Sequence, residues 1–319
     1  LAITFACAAA ALAAPAAFTQ APFPARNIQM IVPYPAGGSI DVMARAVSQK
    51  LAEAWGRAVV VDNRPGASGM IGTEIATKND PDGHSLLAHT SSYPATAAVR
   101  EKLPFDPGRA IVPIATIARA PLLLAVHPSV PAKTVKELVA LAKKHPGQLK
   151  YGSSGTGGNN HFSGALFASA AGVEMTHVPY KGIAPAVTAL AGGEVEVVIA
   201  SLAAVMPAVK ANKTRLFTVS TPEPSPLFPN LPAIAQSGVP GYSYVLWWGI
   251  FAPAGIPAER ANFINAAVNK VLASPEMKKF FDQEGAEAWP RTIAQLNNFL
   301  PDEIERYRKA AKIANIPLH

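Results

Sequence analysis

Cysteine is almost absent, with Cys7 the sole example in 319 residues. Beyond that position no disulfide or thiol chemistry is available, which excludes a disulfide-stapled scaffold and a cysteine nucleophile. Charge is missing from residues 1–25, LAITFACAAAALAAPAAFTQAPFPA, an Ala-rich run ending in small residues. This pattern matches the later part of a secretory signal peptide, whose charged start is not in the sequence. The expectation is a partial signal peptide over 1–22 and a periplasmic protein; the alternative is an unstructured Ala/Pro tail. The run is too short and too interrupted by proline to span a membrane, so no membrane-embedded part is expected. Thr4-Phe5-Ala6 before Cys7 is a poor lipid-attachment box.

Basic blocks are lacking too. Lys and Arg number 28 against 21 acidic residues, a net charge of +7, yet they neither cluster nor interleave with aromatics. That argues against a nucleic-acid partner and leaves a mild field favouring small anions. His84, His89, His127, His145 and His177 show no metal-ligand spacing, so neither metal nor cofactor is expected.

What is present is an alternation of apolar runs and helix-period segments. Ile28–Tyr34, Val59–Asp62 and Leu86–Thr90 read as strands, as do Leu122–Val126, Leu149–Ser153, His177–Tyr180, Val195–Ala200 and Leu216–Ser220. Ser243–Ala252 looks extended. Met43, Val47 and Leu51 recur at helical spacing, Ser68–Ala76 and Phe162–Ala171 read as helices, and Thr134 caps a helix running to Lys144. The tail, Pro257–Ala273 and Pro275–Ile313, is mostly helical, with Pro301 a break or a fresh start. Such alternation argues for an α/β fold with largely parallel sheets. IQMIVPYPAGGSIDVMARAVSQKL and LKYGSSGTGGNNHFSGALFASAAG both run strand, glycine loop, helix, as two lobes with one such unit apiece would. TPEPSPLFPNLP (221–232) is too rich in proline for regular structure and reads as a surface connection near a lobe boundary.

The second glycine loop fails three familiar patterns. A dinucleotide fingerprint would need glycine where Asn160 stands; a P-loop would end in Gly-Lys-Ser/Thr, and no lysine is present. A nucleophile elbow needs glycine two positions either side of the serine, which neither Ser153 nor Ser154 has. The shared physics remains: backbone N–H groups at a helix N-terminus, with small hydroxyls beside them, suit a compact anion such as a carboxylate. Pro35–Ser39 offers the same arrangement earlier in the chain.

YPAGGSIDVMAR, VDNRPGASGMIGTEIATKNDPDGHSLL, LPFDP, YGSSGTGGNNHFSG, VPYKGIAPAVTALAGGEVE and WWGIFAPAGIP together resemble the periplasmic substrate-binding receptors of tripartite tricarboxylate transporters, the Bug receptors. The resemblance runs from about Arg26 to Ile316. It implies a type II periplasmic-binding-protein fold: two α/β lobes, 26–124 plus 247–319 and 125–246, closing on a ligand cleft. It further implies a monomer that binds a small carboxylate and hands it to membrane transporter subunits, without being an enzyme. Carried onto this chain, first-lobe ligand contacts would be Tyr34, Ala36, Gly37 and Gly38, with Asp41 ordering their loop. Second-lobe contacts would be Ser153, Ser154, Thr156, Gly157 and Asn159, with His161 supporting the loop. Ser91 and Ser92 would face the distal end of the ligand, and Tyr180, Ser201 and Trp247 are further cleft candidates. Ala36 is small where the family often has Phe, leaving room for a bulkier ligand, and Glu196 and Asn212 stand at the usual places of Asp and Gly. The rival reading is a hydrolase using Ser153 or Ser154 with His161.

Overall fold

The computed structural model describes residues 23–318, so the signal-peptide segment lies outside the described residues. In chain order the strands are β1 (Ile28–Val32), β2 (Val59–Asn63), β3 (Ser85–Thr90), β4 (Ile111–Pro121), β5 (Leu123–Val126) and β6 (Lys150–Ser153). They continue with β7 (Thr176–Pro179), β8 (Val197–Ala200), β9 (Arg215–Val219), β10 (Val245–Pro253) and the short β11 (Glu287–Ala288). The helices are α1 (Ser39–Trp55), α2 (Met70–Thr77), α3 (Ser92–Val99), α4 (Val135–Lys144), α5 (Asn159–Ala171) and α6 (Ile183–Gly192). They end with α7 (Leu202–Lys210), α8 (Ala258–Leu272), α9 (Pro275–Glu284), α10 (Ile293–Leu296) and α11 (Phe299–Ile313).

Two sheets result, ordered β11-β4-β10-β3-β1-β2 and β7-β6-β8-β5-β9. Both place their opening strand, β1 or β6, between the two that follow it, and both pair it in parallel with each. Each sheet also takes in one strand from the crossing segments, β10 or β5, antiparallel to both its neighbours. The echo between the two glycine-loop units is therefore an echo of whole sheets.

The chain leaves the first sheet at Pro121 and joins the second at Leu123; it returns through Tyr244 into β10. Ser220 ties these crossings together. Its buried hydroxyl accepts from the Leu122 amide at 2.7 Å and donates to the Tyr244 carbonyl at 2.6 Å. Its amide and carbonyl pair with the same two residues. A fully buried serine with every polar atom engaged thus fastens the two crossing segments to each other.

Local sequence explains most elements. In α1, Ile40, Met43, Ala44, Val47 and Leu51 form the buried stripe, and Gly56 ends the helix in the left-handed conformation that glycine adopts without strain. Thr134 caps α4 by accepting from the Glu137 amide. Pro301 sits in the first turn of α11 and so starts a helix there. Several elements differ from the sequence expectation. β4 carries Pro113 and lacks alternation; the strand survives because its register with β10 shifts between Ile250 and Phe251, the latter opposite Pro113. α6 and α7 are short apolar helices with Pro185 and Pro207 inside or near their starts, so neither shows a polar face. Ser68, expected in a helix, instead follows Ala67 in the left-handed region, with φ of 56° and 48°.

Candidate functional site

Each parallel strand β1, β3, β6, β7 and β8 runs at its C-terminal end into a helix: α1, α3, α5, α6 and α7. Open α/β sheets place ligands at that edge, and here all five helix starts line one cavity of about 400 Å³ between the lobes. None of the five is capped by a side chain; their N-cap residues are Gly38, Ser91, Gly158, Gly182 and Ser201. Side-chain caps occur on α4, α9 and α10, which do not line the cavity. Their own N-cap side chains thus leave first-turn amides open towards the cavity, although Thr90 takes the Ser92 amide and Ser92 the Asn159 amide.

The first-lobe loop is exposed and held by charge. Gly37 has φ of 80°, a conformation glycine takes freely, and its amide donates to Asp41 Oδ2 at 2.9 Å. Arg45 donates to the same oxygen at 3.0 Å, and Asn63 donates to Asp41 Oδ1 at 2.9 Å and to the Tyr34 carbonyl at 3.0 Å. Burial alone would raise the Asp41 pKa, but hydrogen bonds from Arg45, the Gly37 amide and Asn63 outweigh it and lower it. Asp41 is therefore a carboxylate that shapes the loop from behind. Tyr34, Ala36, Gly37 and Gly38 line the cavity, and the Tyr34 hydroxyl donates to the Ser68 carbonyl at 3.1 Å.

The second-lobe loop is buried and held by neutral rings. His161 Nδ1 accepts from the Gly157 amide at 3.1 Å. Its ring stacks on His177 with centroids 3.9 Å apart, and Tyr151 lies nearly parallel to both, 5.0 Å from His177 and 6.4 Å from His161. Tyr151 can lie there because residue 164 is glycine; a Cβ would come within 2.4 Å of its ring. His177 Nε2 lies 2.6 Å from Ser153 Oγ, which accepts from the Gly155 amide at 3.1 Å. Burial lowers the His177 pKa to about 4, so the ring is neutral near pH 7.

Of the residues expected at the site, Tyr34, Ala36, Gly37, Gly38, Ser92, Ser154, Asn159 and Ser201 reach the cavity wall. Ser153 does not: it is wholly buried under the loop, spent on the Gly155 amide and His177. His161 likewise lies beneath the loop. Tyr180 packs with the apolar cluster of α6 and α7. Trp247 faces away from the cavity, packed on Phe299 with its indole N–H donated to Glu303 at 2.7 Å. Thr156, Gly157 and Ser91 instead join the lobes, and Asn159 does so as well as lining the cavity. The Thr156 carbonyl accepts from Ser68 and the Gly157 carbonyl from Thr96, each at 3.2 Å. Asn159 Oδ1 accepts from Ser91 and Tyr244 at 2.9 Å, its amide nitrogen donates to Thr90, and its backbone N–H donates to Ser92.

Sequence reasoning missed Thr90, Asn160, Lys181, Leu122 and Leu246, which also line the cavity. Lys181 had a usable signal, since it follows a strand and precedes a glycine N-cap. Leu122 and Leu246 belong to the crossing segments, whose convergence no local pattern reveals. Among the described residues no group of three His, Cys, Asp or Glu could hold a metal ion. No helix among them is long and apolar enough to cross a membrane.

Comparison with known proteins gives a consistent result. The family model described as tripartite tricarboxylate transporter family receptor matches residues 43–316. Protein BugT of Bordetella pertussis is 33% identical over 287 residues, covering 89% of this chain and 88% of BugT. Among solved structures, Rpa4515 of R. palustris with adipate is similar at a TM-score of 0.88 and 36% identity, covering 92% of this chain and 99% of that one. MatC (Rpa3494) of Rhodopseudomonas palustris with bound malate is similar at a TM-score of 0.83 and 28% identity, covering 90% and 99%.

Proposed function

The chain belongs to the tripartite tricarboxylate transporter receptor family, and we propose that it is a periplasmic, non-enzymatic receptor that closes its two lobes on a small organic carboxylate. Lobe boundaries at 124/125 and 246/247, with residues 1–22 removed on export, complete this reading. The loaded receptor, a monomer without bound cofactor, delivers its ligand to a membrane transporter. The observation that carries the reading is the pair of uncapped helix starts, α1 and α5, facing one cavity whose wall contains no acidic residue. Adipate and malate in the similar structures are both carboxylates.

Magnitudes require closure. A helix terminus contributes about 0.3–1 kcal/mol to an anion, up to about 2 when partly buried, whereas micromolar binding takes about 8 kcal/mol. Charge-assisted hydrogen bonds, about 1.5–3 kcal/mol each, supply the remainder only where bulk water is excluded. The contacts of residues 156–159 with the first lobe provide that exclusion.

A serine hydrolase is the weaker reading. The Ser153–His177 distance of 2.6 Å suits a nucleophile and base, but Ser153 is fully buried and its oxygen is engaged by a backbone amide. Thermal-shift titration with a panel of carboxylic acids tests the receptor. A ligand present at a hundredfold over its Kd stabilises by about 2.7 kcal/mol and raises the Tm accordingly. No response to any acid, with a response to a neutral sugar, would overturn the proposal.

A further inference from the structure

A second cavity, of about 470 Å³, lies behind the glycine loop of the second lobe. An apolar cavity of about 150 Å³ is enough to hold benzene, so a molecule built on one ring has ample room here. The walls come from Tyr151 of β6, from α5, from residues 173–176 leading into β7, and from the tail 314–317 that follows α11. α11 packs on α3 of the first lobe as well as on α5, so the cavity lies between parts of both lobes. Ser169, on its wall, donates to the Ile313 carbonyl at 2.9 Å across that boundary.

Tyr151 supplies a buried polar group. It is 4% exposed and lines the cavity. Gly164 presses on one edge of its ring and His177 covers one face, while the hydroxyl makes no hydrogen bond among the described residues. Burial raises its pKa with nothing to offset the rise, so the phenol keeps its proton. Buried hydroxyls are nearly always paired. Glu174 is the one carboxylate on the wall, which carries neither Lys nor Arg. It is exposed and joins no ion pair among the described residues. It stands three residues before His177, the register partner of Tyr151, a separation of about 10 Å of chain. Ala165, Ala168, Met175 and Ile316 give the wall its apolar surface. The front cavity is the reverse, with Lys181 and no acid, so the two cavities select opposite charges.

We propose that the back cavity is a second binding site, that it takes a small organic amine whose body carries a hydroxyl, and that its occupant favours lobe closure. The ammonium pairs with Glu174, the hydroxyl with Tyr151, and the body lies on the apolar wall. The site goes beyond the carboxylate reading; only its effect on closure rests on the two-lobe reading above. Two connections carry that effect to the front. His161 lines the back cavity while its Nδ1 accepts from the Gly157 amide, and the Gly157 carbonyl accepts from Thr96 of the first lobe. Asn315 and Ile316 continue α11, which is seated on the first lobe. An occupant touching both walls loses contacts when the lobes part, so it binds the closed form better and shifts the population toward it.

Isothermal titration calorimetry on the purified chain tests the site with tyramine, set against phenethylamine, which lacks the hydroxyl, and 4-ethylphenol, which lacks the charge. Tyramine should saturate one site. At low salt it should bind about fivefold more tightly than phenethylamine and about threefold more tightly than 4-ethylphenol. Tyr151→Phe should abolish the first preference and Glu174→Gln the second, each leaving the other in place. Both replacements keep the side-chain shape, and a cooperative melt near that of the wild type reports an intact fold. Small-angle scattering should give a smaller radius of gyration with tyramine bound. No saturable tyramine binding, or preferences that survive both substitutions, overturns the site. Binding with both preferences but an unchanged radius overturns the effect on closure. Neither result depends on the response to carboxylic acids, so this site and the carboxylate receptor fail separately.

Discussion

The two glycine loops perform the same mechanical task with opposite materials. Pro35–Gly37 is exposed and held by a carboxylate, a guanidinium and a carboxamide, a scaffold that charge keeps rigid in water. Gly157–Asn159 is buried and held by uncharged imidazoles, hydroxyls and the opposite lobe. The difference follows from position. A loop at the open lip can solvate charges around it, whereas a loop pressed between lobes would suffer their desolvation each time the cleft closed. One lobe thus presents a preset surface, and the other presents a surface completed by contact.

The largest test of that contrast removes the second loop's cross-lobe contact. Asn159→Ala takes away the acceptor of Ser91 and Tyr244, both buried, and the donor to Thr90. At about 1–3 kcal/mol per buried group left unpaired, ligand affinity should fall about a hundredfold or more. Small-angle scattering should show a more extended ligand-free molecule. A loss below about fivefold would mean that Asn159 does not govern closure.

Acid titration separates the scaffolds next. His177 has its pKa lowered to about 4, and the fully buried His89 to about 3, both by burial. In the unfolded chain each titrates near about 6.5, so as pH falls the unfolded state takes up protons first. Stability should hold above about pH 7, decline from about 6.5 downward, and level off only below about 3–4. The His177 share, discounted for its half-burial, is about 1–2 kcal/mol, and His177→Gln should flatten that part of the Tm-against-pH curve. The lowered Asp41 pKa acts elsewhere: its stabilisation is intact above its unfolded pKa and is lost only at more acidic pH.

Asp41→Asn is the matching change in the first loop. It keeps the side-chain shape but gives up the charge that Gly37 and Arg45 address. We expect about 1–2 kcal/mol of lost stability and about a tenfold weaker Kd, measured by calorimetry. The smallest effect belongs to Ser153→Ala, about 1 kcal/mol in stability and a few-fold in Kd. Ester-hydrolysis assays of wild type and variant should both stay at the uncatalysed rate; a serine-dependent rate in the wild type would break the receptor reading.

Much of this was legible in the chain because it is local. Helix periodicity gave α1 and α4, the threonine cap gave the start of α4, and excess glycine marked both loops. Asn212, standing where the family usually has glycine, takes the left-handed conformation with φ of 56°, a region asparagine tolerates. Glu196 receives the Lys150 amide at 2.7 Å and stitches β6 to the start of β8. What stayed hidden depends on long-range geometry. The cross-lobe bonds of Asn159 and Thr156 were not foreseen, because the sequence cannot say which parts of a loop meet the opposite lobe. Ser153 was expected to contact the ligand because its pairing with His177, 24 residues later, is invisible in the local sequence. α6 and α7 were missed because small or apolar residues such as Ala184, Pro185, Ala203 and Pro207 stand at their exposed positions, so no polar period shows.

The final helix, α11, packs on α3 in the first lobe and also on α5 in the second. Phe162, wholly buried, meets Tyr307 edge-on with centroids 5.0 Å apart, and Ser169 donates to the Ile313 carbonyl. The lobe opening that the proposed receptor requires would unseat that brace. Apolar surface would be wetted at the back of the molecule as the front unfastens, so the vacant state carries a penalty remote from the ligand. Tuning Phe162 or Tyr307 would then reset how readily the receptor releases its cargo without altering a single atom that touches it.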